Sequence, residues 1–289
     1  MGILANVKTG LKLSVDSLAV LRDHPKLLAF PAISGVATAV FFVFLYLGVF
    51  VAGFIGGGLE YIALFVLYFV TTFVASLFTA ALVYAVNDAF HEREPSVRRS
   101  VGAAWEMKGT IAIWSAIAAV VSLIIRQLEQ SDNPLSRLIA GLFTLGWTIT
   151  TFFIIPVIVF EDVDTKSMFT RSAETFKDTW GETLGAGLGL GVVQLLLALV
   201  AIALGAGAFV LGSVLSPGAG IASAILVGGL GLLFAYLIGQ TIRGIAKTAL
   251  YLYASEGLVA EEFTDFDFET LDGRAGSAAP SNRRVEGRI

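Results

Sequence analysis

The sequence contains no cysteine and only two histidines, His24 and His91. The first absence excludes disulfides, thiolate metal sites and cysteine nucleophiles. It also removes the second half of any zinc-deaminase pattern: "HERE" at 91–94 supplies His-x-Glu, but that chemistry needs a later Pro-Cys-x-x-Cys. The stretch reads instead as a solvated turn into a helix opened by Pro95. No HExxH, GxSxG or GxxxxGK occurs, and the glycine-rich "GETLGAGLGLG" follows no strand and lacks GxGxxG spacing. Charge is scarce too: charged residues make up 15% of the chain, the net charge is −4, and no basic patch is large enough to hold nucleic acid. From these absences the sequence predicts no enzyme, no cofactor and no metal site.

What is abundant is apolar. Hydrophobic residues make up 56% of the 289, and a mean hydropathy of +0.82 excludes a water-soluble domain. Six apolar runs, 27–55, 60–86, 109–126, 137–160, 184–212 and 221–254, meet the length of about 20 residues that a hydrocarbon core requires. The predicted fold class is all-α: a polytopic transmembrane bundle of about six spans with amphipathic interfacial helices on the cytoplasmic side. Residues 1–26 form the first interfacial helix, 27–255 the transmembrane domain and 256–289 a disordered cytoplasmic tail. The first apolar run begins too late and runs too long for a signal-peptide h-region, so the first helix is expected to be retained.

Lysine and arginine set the orientation. They crowd the N-terminal segment (Lys8, Lys12, Arg22, Lys26), the loop after span 2 (Arg93, Arg98, Arg99, Lys108) and the loop after span 4 (Lys166, Arg171, Lys177), whereas the opposite loops hold only Arg126 and Arg137. Both termini are therefore expected in the cytoplasm, in a multi-pass protein of the cell membrane. The basic segments share a pattern. Residues 3–23 place Leu4, Val7, Leu11, Val15, Leu18 and Leu21 at helical spacing, and 165–180 place Phe169, Ala173, Phe176 and Trp180 likewise. A shorter version, 95–107, ends in Trp105. Each precedes an outward-going span, giving three units of interfacial helix plus hairpin, with Arg99-Ser100 and Arg171-Ser172 at matching places.

Small residues recur every fourth position in the last third: Gly181, Gly185, Gly189 in span 5 and Gly231, Ala235, Gly239 in span 6. Such spacing lets helices approach closely in lipid, so Gly185, Gly189, Gly231 and Gly239 are predicted to pack spans 5 and 6 together. Hydroxyls at Thr72, Ser76 and Thr79, and at Thr144, Thr148 and Thr151, line a solute path or, as more commonly found, bond the carbonyl one turn back. Gln194 is expected to make an interhelical hydrogen bond, and Pro31 and Pro156 to kink spans 1 and 4.

The most informative stretch is "YLIGQTIRGIAKTALY". At 100° per residue Tyr236, Gln240, Arg243, Lys247 and Tyr251 fall within an arc of about 80°. The cations either snorkel at the cytoplasmic interface or lie deeper and need partners; the insertion cost of about 2.5–3.5 kcal/mol each favours the interface. There Asp88, ending span 2, and Glu161, ending span 4, are the expected counter-ions, making Gln240, Arg243, Lys247, Asp88 and Glu161 a candidate polar network.

Two stretches, "LAVLRDHPKLLAFPAISG" and "IIPVIVFEDVDTKSMFTRSAETFKDTWGETLGAGLGLG", resemble a family of uncharacterised archaeal and bacterial six-span proteins with a domain of unknown function, distantly similar to the membrane domain of glycerophosphodiester phosphodiesterases. The resemblance implies a prokaryotic polytopic protein and carries over no catalytic residue; the acidic, Asp-Phe-rich tail and the excess of arginine over lysine point toward a halophilic archaeon. Two function classes stand. The first is a membrane organising or interaction protein, touching membrane lipids through its interfacial helices and a cytoplasmic protein partner through Phe263, Phe266 and Phe268 of the tail. The alternative is a small-solute, anion-handling transporter or channel built on Arg243 and Lys247. Oligomeric state is not encoded in these patterns.

Overall fold

The computed structural model describes residues 3–48, 59–161, 163–180, 186–264 and 266; for 3–9, 59–60, 178–180 and 186–190 it describes the backbone alone. The described residues form helices without strands: α1 (Ile3–Asp23), α2 (Ala29–Tyr46), α3 (Leu59–Phe90), α4 (Val97–Glu106), α5 (Lys108–Glu129), α6 (Pro134–Thr150), α7 (Ile154–Phe160), α8 (Thr165–Trp180), α9 (Ala186–Ser213) and α10 (Pro217–Glu256). Short 3-10 turns at Pro25–Leu28 and Glu261–Phe263 complete the chain. Among the described residues six helical stretches are long and apolar enough to cross a membrane: Pro25–Tyr46, Tyr61–Phe90, Lys108–Glu129, Pro134–Phe160, Gly191–Ser213 and Pro217–Glu256. The chain is an integral membrane protein of the multi-pass, all-helical class, as its hydropathy demands.

Helix ends follow local chemistry. Ser96, rather than Pro95, opens α4, its Oγ accepting from the Arg99 N–H at 3.5 Å. Ser216 and Pro217 open α10 in the same way, and Gly257, at φ 68°, closes it in the left-handed region that favours glycine. In span 1 Pro31 lies in the first turn of α2, just after the 3-10 turn Pro25–Leu28 gives way to α-helix. Pro156 does break span 4. Its ring and missing N–H deprive the Phe152 carbonyl of its helical donor; the helix ends at Thr150 and resumes at Ile154. The N–H of Phe153, freed in the gap, donates to the Ser172 Oγ of α8 at 3.1 Å.

The packed core lies at one end of the bundle, where the amphipathic helices α1, α4 and α8 gather. It contains Leu82, Val83 and Val86 of α3, Ile154, Val157 and Ile158 of α7, and Ile245, Leu250 and Tyr251 of α10. The three amphipathic helices fall where the sequence periodicity placed them, but α1 and α8 are rotated. In α1 the buried face is Gly10, Leu13, Ser14, Ser17, Val20 and Leu21, while Leu11, Val15 and Leu18 of the expected stripe are exposed. The reason is packing on two sides. α1 contacts α9 and α10, and its small serines, each returning its hydroxyl to the carbonyl one turn back, permit the close approach. The leucines are left to face the membrane. In α8 the buried residues are Met168, Ser172, Thr175 and Phe176; Phe169 instead joins a cluster with Trp114 and Trp147.

α9 and α10 form the tightest pair. A Cβ at Gly205 would stand 2.9 Å from the Gly228 Cα, one at Gly231 would stand 3.0 Å from the Ala201 Cβ, and one at Gly239 would collide with the Gln194 amide. The expected close contact of spans 5 and 6 is thus present at Gly231 and Gly239. Gly185 lies outside the described residues, as do the contacts of Gly189. Gln194 makes no hydrogen bond through Oε1; its amide fills the niche over Gly239, a correction to the expected interhelical bond. The start of the tail also differs from expectation. Phe263 is fully buried against Phe90, and Phe266 is 5% exposed, so the chain folds back onto the bundle before leaving the described region.

Candidate functional site

The site is built on α10. From Gly239 to Leu252 every residue is buried except Gln240, Arg243 and Lys247. Together with Tyr236 these three form one wall of a cavity of about 620 Å³ whose other walls are α2 and α3. α2 contributes Pro31 to Phe42 and α3 contributes Thr71 to Leu82. Both α3 and α10 run in the same direction, and the Leu82 Cδ2 sits where a Cβ on Gly244 would fall, which fixes their register. Pro31, Leu82 and Lys247 therefore mark the end nearer the amphipathic helices, and Phe42, Thr71 and Tyr236 the other.

Position along α10 is marked by a hydrogen bond. The Tyr251 hydroxyl donates to Glu161 Oε1 at 2.6 Å, and Glu161 immediately follows the span ending at Phe160. Lys247 and Arg243 lie one and two turns further into the span, about 6 and 12 Å along the helix. Both lie within the 40-residue apolar stretch Pro217–Glu256, which at about 1.5 Å per residue is longer than a hydrocarbon core of about 30 Å and so accommodates the interfacial register.

Their expected counter-ions are engaged elsewhere. Asp88 accepts from Arg93 Nε at 3.0 Å and from Arg99 Nη2 at 2.6 Å. Glu161 accepts from Arg171 Nε at 2.7 Å and Nη2 at 3.0 Å, besides Tyr251. Each acid is claimed by an arginine of the amphipathic helix that follows it, a short loop closure that outcompetes a partner on α10. Burial pushes the Glu161 carboxyl up, but the hydrogen bonds from Arg171 and Tyr251 and the Arg171 charge together hold it below its ordinary range. The same hydrogen bond and charge raise the Arg171 guanidinium. The structure thus brings Gln240, Arg243 and Lys247 together and leaves Asp88 and Glu161 out of their network. Arg99 and Arg171 do the same job in successive units, and Ser100 and Ser172 beside them are both buried, but Ser172 Oγ accepts from Phe153 while Ser100 Oγ has no hydrogen-bond partner among the described residues.

No ion pair within 4.0 Å forms between Arg243 or Lys247 and a carboxylate of the described residues. The partner that Lys247 does have was not legible from hydropathy: its Nζ lies 4.3 Å over the Phe152 ring, a cation–π contact. Phe152 belongs to the gap that Pro156 opens in span 4, so proline at four residues' remove was the available signal. Two hydroxyls of the cavity wall are self-satisfied. Thr71 and Thr79 return theirs to the carbonyls of Leu67 and Ala75 at 2.6 and 2.7 Å. Of the expected hydroxyl path, Ser76 instead accepts from Trp114 Nε1, and Thr148 and Thr151 bond one turn back. Charge in the cavity is confined to the two cations, with Gln240, Ser34, Thr38 and Tyr236 as further polar groups of the lining.

A family model matches residues 58–261, described as a family of unknown function, DUF6159. The chain belongs to that DUF6159 family. The match begins just before α3 and ends after α10, so it covers the cation face and the broken span but not α2. No curated protein and no solved structure matches this DUF6159 chain.

Proposed function

We propose that this membrane protein binds an anion in the groove among α2, α3 and α10, with Arg243 and Lys247 as the binding pair. One observation carries the proposal: two cations a single turn apart, within a span, line an open cavity to which the described residues contribute no carboxylate. An unpaired cation costs up to about 2.5–3.5 kcal/mol where it enters the hydrocarbon, and like charges four residues apart repel. An anionic ligand relieves both penalties. Solute handling therefore moves ahead of the organising role, and the interrupted span beside Lys247 is the kind of helix that transporters place at their sites. The organising role retains the exposed faces of α1 and Trp105 of α4, which is 50% exposed. A cytoplasmic partner recruited by the tail would have to read residues beyond Phe266, since Phe263 and Phe266 are buried against the bundle. We assign no catalytic step: the acids nearest the groove are each held by arginine, and neither the likeness to phosphodiesterase membrane domains nor a haloarchaeal origin adds a residue to it. Cell-membrane residence with both termini in the cytoplasm is supported by the lysine and arginine asymmetry of the loops.

The binding test is calorimetry on the full-length protein in detergent, with inorganic phosphate and a short-chain phosphatidate as probes. Saturable binding of at least one, lost in Lys247→Met without loss of thermal stability, is expected. Binding of neither would overturn the proposal. For orientation, a cysteine at Ser131 should react with an impermeant maleimide from outside intact cells and one at Ser167 only after lysis; the reverse pattern would invert the topology.

A further inference from the structure

We propose that the groove seats one anionic phospholipid of the leaflet on the side of α1, α4 and α8, with its phosphate at Arg243 and Lys247 and an acyl chain along α2 and α3. This rests on the anion-binding reading and narrows it to a ligand class. Length is the first argument. The lining stretches Pro31–Phe42, Thr71–Leu82 and Tyr236–Lys247 each run about 16 Å at a helical rise of about 1.5 Å per residue. That is close to half of a hydrocarbon core about 30 Å thick, the depth of one leaflet. A free inorganic anion needs a small, closed, all-polar shell and no such length.

The distribution of polarity is the second argument. The cations occupy the part of the groove nearer the charged loops, and beyond them the wall is mostly apolar, with Gly35, Ala39, Phe42 and Ala75; Thr71 and Thr79 are bonded to their own helices, and Thr38 and Tyr236 are further hydroxyls. Charge at one end and a mostly apolar wall beyond it suit an amphiphile better than a small solute. Access is the third. The rim residues Phe42 and Tyr236 are each 48% exposed at an apolar surface, so a lipid enters sideways without leaving the membrane. The charge of the headgroup follows as well. With no carboxylate contributed to the lining by the described residues, a choline or ethanolamine ammonium finds no ionic partner, and the site favours a headgroup whose net charge is negative.

Native mass spectrometry of the full-length protein, mixed with equimolar phosphatidate and phosphatidylcholine, tests this together with phosphate calorimetry. One retained phosphatidate, preferred by about tenfold, is expected, with the preference falling to near parity in Arg243→Gln or Lys247→Gln. A second variant isolates the acyl chain. Gly35 lines the groove, and a Cβ built on it meets nothing within 4 Å, so Gly35→Leu directs added bulk into the groove while leaving both cations in place. Loss of phosphatidate in Gly35→Leu supports the lipid seat. If inorganic phosphate binds to parent and Gly35→Leu alike and phosphatidate is not preferred, the anion site stands and the lipid seat is overturned. If neither probe binds, both readings fall.

Discussion

The two halves of α10 share one helix but meet different surroundings. Between Ile221 and Phe234 the large side chains face outward, Ile225 at 70% and Leu226 at 64% exposure. Contact with α9 in that half is made by glycine, as at Gly228 and Gly231. Between Gly239 and Leu252 the relation inverts, and only the polar stripe is accessible. Hydrocarbon is as apolar as leucine, so a helix in lipid needs no core to be satisfied, only a close contact that fixes its neighbour. A helix that carries charge into the membrane needs protein around it. The half of α10 with the cations is accordingly the half around which α2, α3, α7 and α8 assemble.

The contrast is sharpest for aromatic truncation. Phe263→Ala empties a fully buried site at the end of α10 and should cost about 3 kcal/mol, whereas Phe234→Ala, 59% exposed, should cost under about 0.5 kcal/mol in thermal denaturation in detergent. Equal losses would mean that both halves are core. Glu161→Ala comes next, at about 2 kcal/mol, because it removes the acceptor shared by Arg171 and Tyr251. Since the folded Glu161 carboxyl titrates below its ordinary value of 4.5, its stabilisation is complete above about that pH and disappears as pH falls through the folded value. In Glu161→Ala the acid limb of the stability profile should flatten.

Glycine substitution separates contact from exposure within the helix. Gly239→Leu must displace the Gln194 amide and should cost about 1–3 kcal/mol; Gly229→Leu, whose added Cβ meets nothing within 4 Å, should be neutral. A smaller signal is expected at the cations themselves. Lys247→Met removes an uncompensated charge and should leave stability equal or raise it by about 1 kcal/mol. Arg243→Ala and Asp88→Ala should be additive, since Asp88 is held by Arg93 and Arg99. A coupling between them would restore the ion network that the sequence alone proposed.

Much of the architecture was legible because lipid leaves few choices. An apolar run of span length must be a helix, since no other single segment satisfies its own backbone in hydrocarbon. The one-sided stripe of Gln240, Arg243 and Lys247 was legible for the same reason: periodicity is a local property. Orientation of the amphipathic helices was not. For α1, hydrophobicity chose Leu11, Val15 and Leu18 as the inner face, but a membrane protein has apolar surroundings outside as well as inside, so the pattern did not say which apolar face meets protein. Nor was ion pairing legible. Asp88, Glu161, Arg93, Arg99, Arg171, Arg243 and Lys247 cluster toward the same end of the spans, and only the closure of Asp88 with Arg93 and Arg99, and of Glu161 with Arg171, shows which cations are left over.

By itself, then, the sequence determined the class, the spans and the existence of a polar face on the last helix, because each is set by the free energy of moving a contiguous segment out of water. The tertiary structure decided what that face looks at. Whether Arg243 and Lys247 meet carboxylates, lipid or a cavity depends on how α2 and α3 pack beside α10 and on where Pro156 breaks span 4. Those contacts join residues far apart in the chain, and apolar packing among helices in a membrane is nearly degenerate until small residues and specific hydrogen bonds select one arrangement.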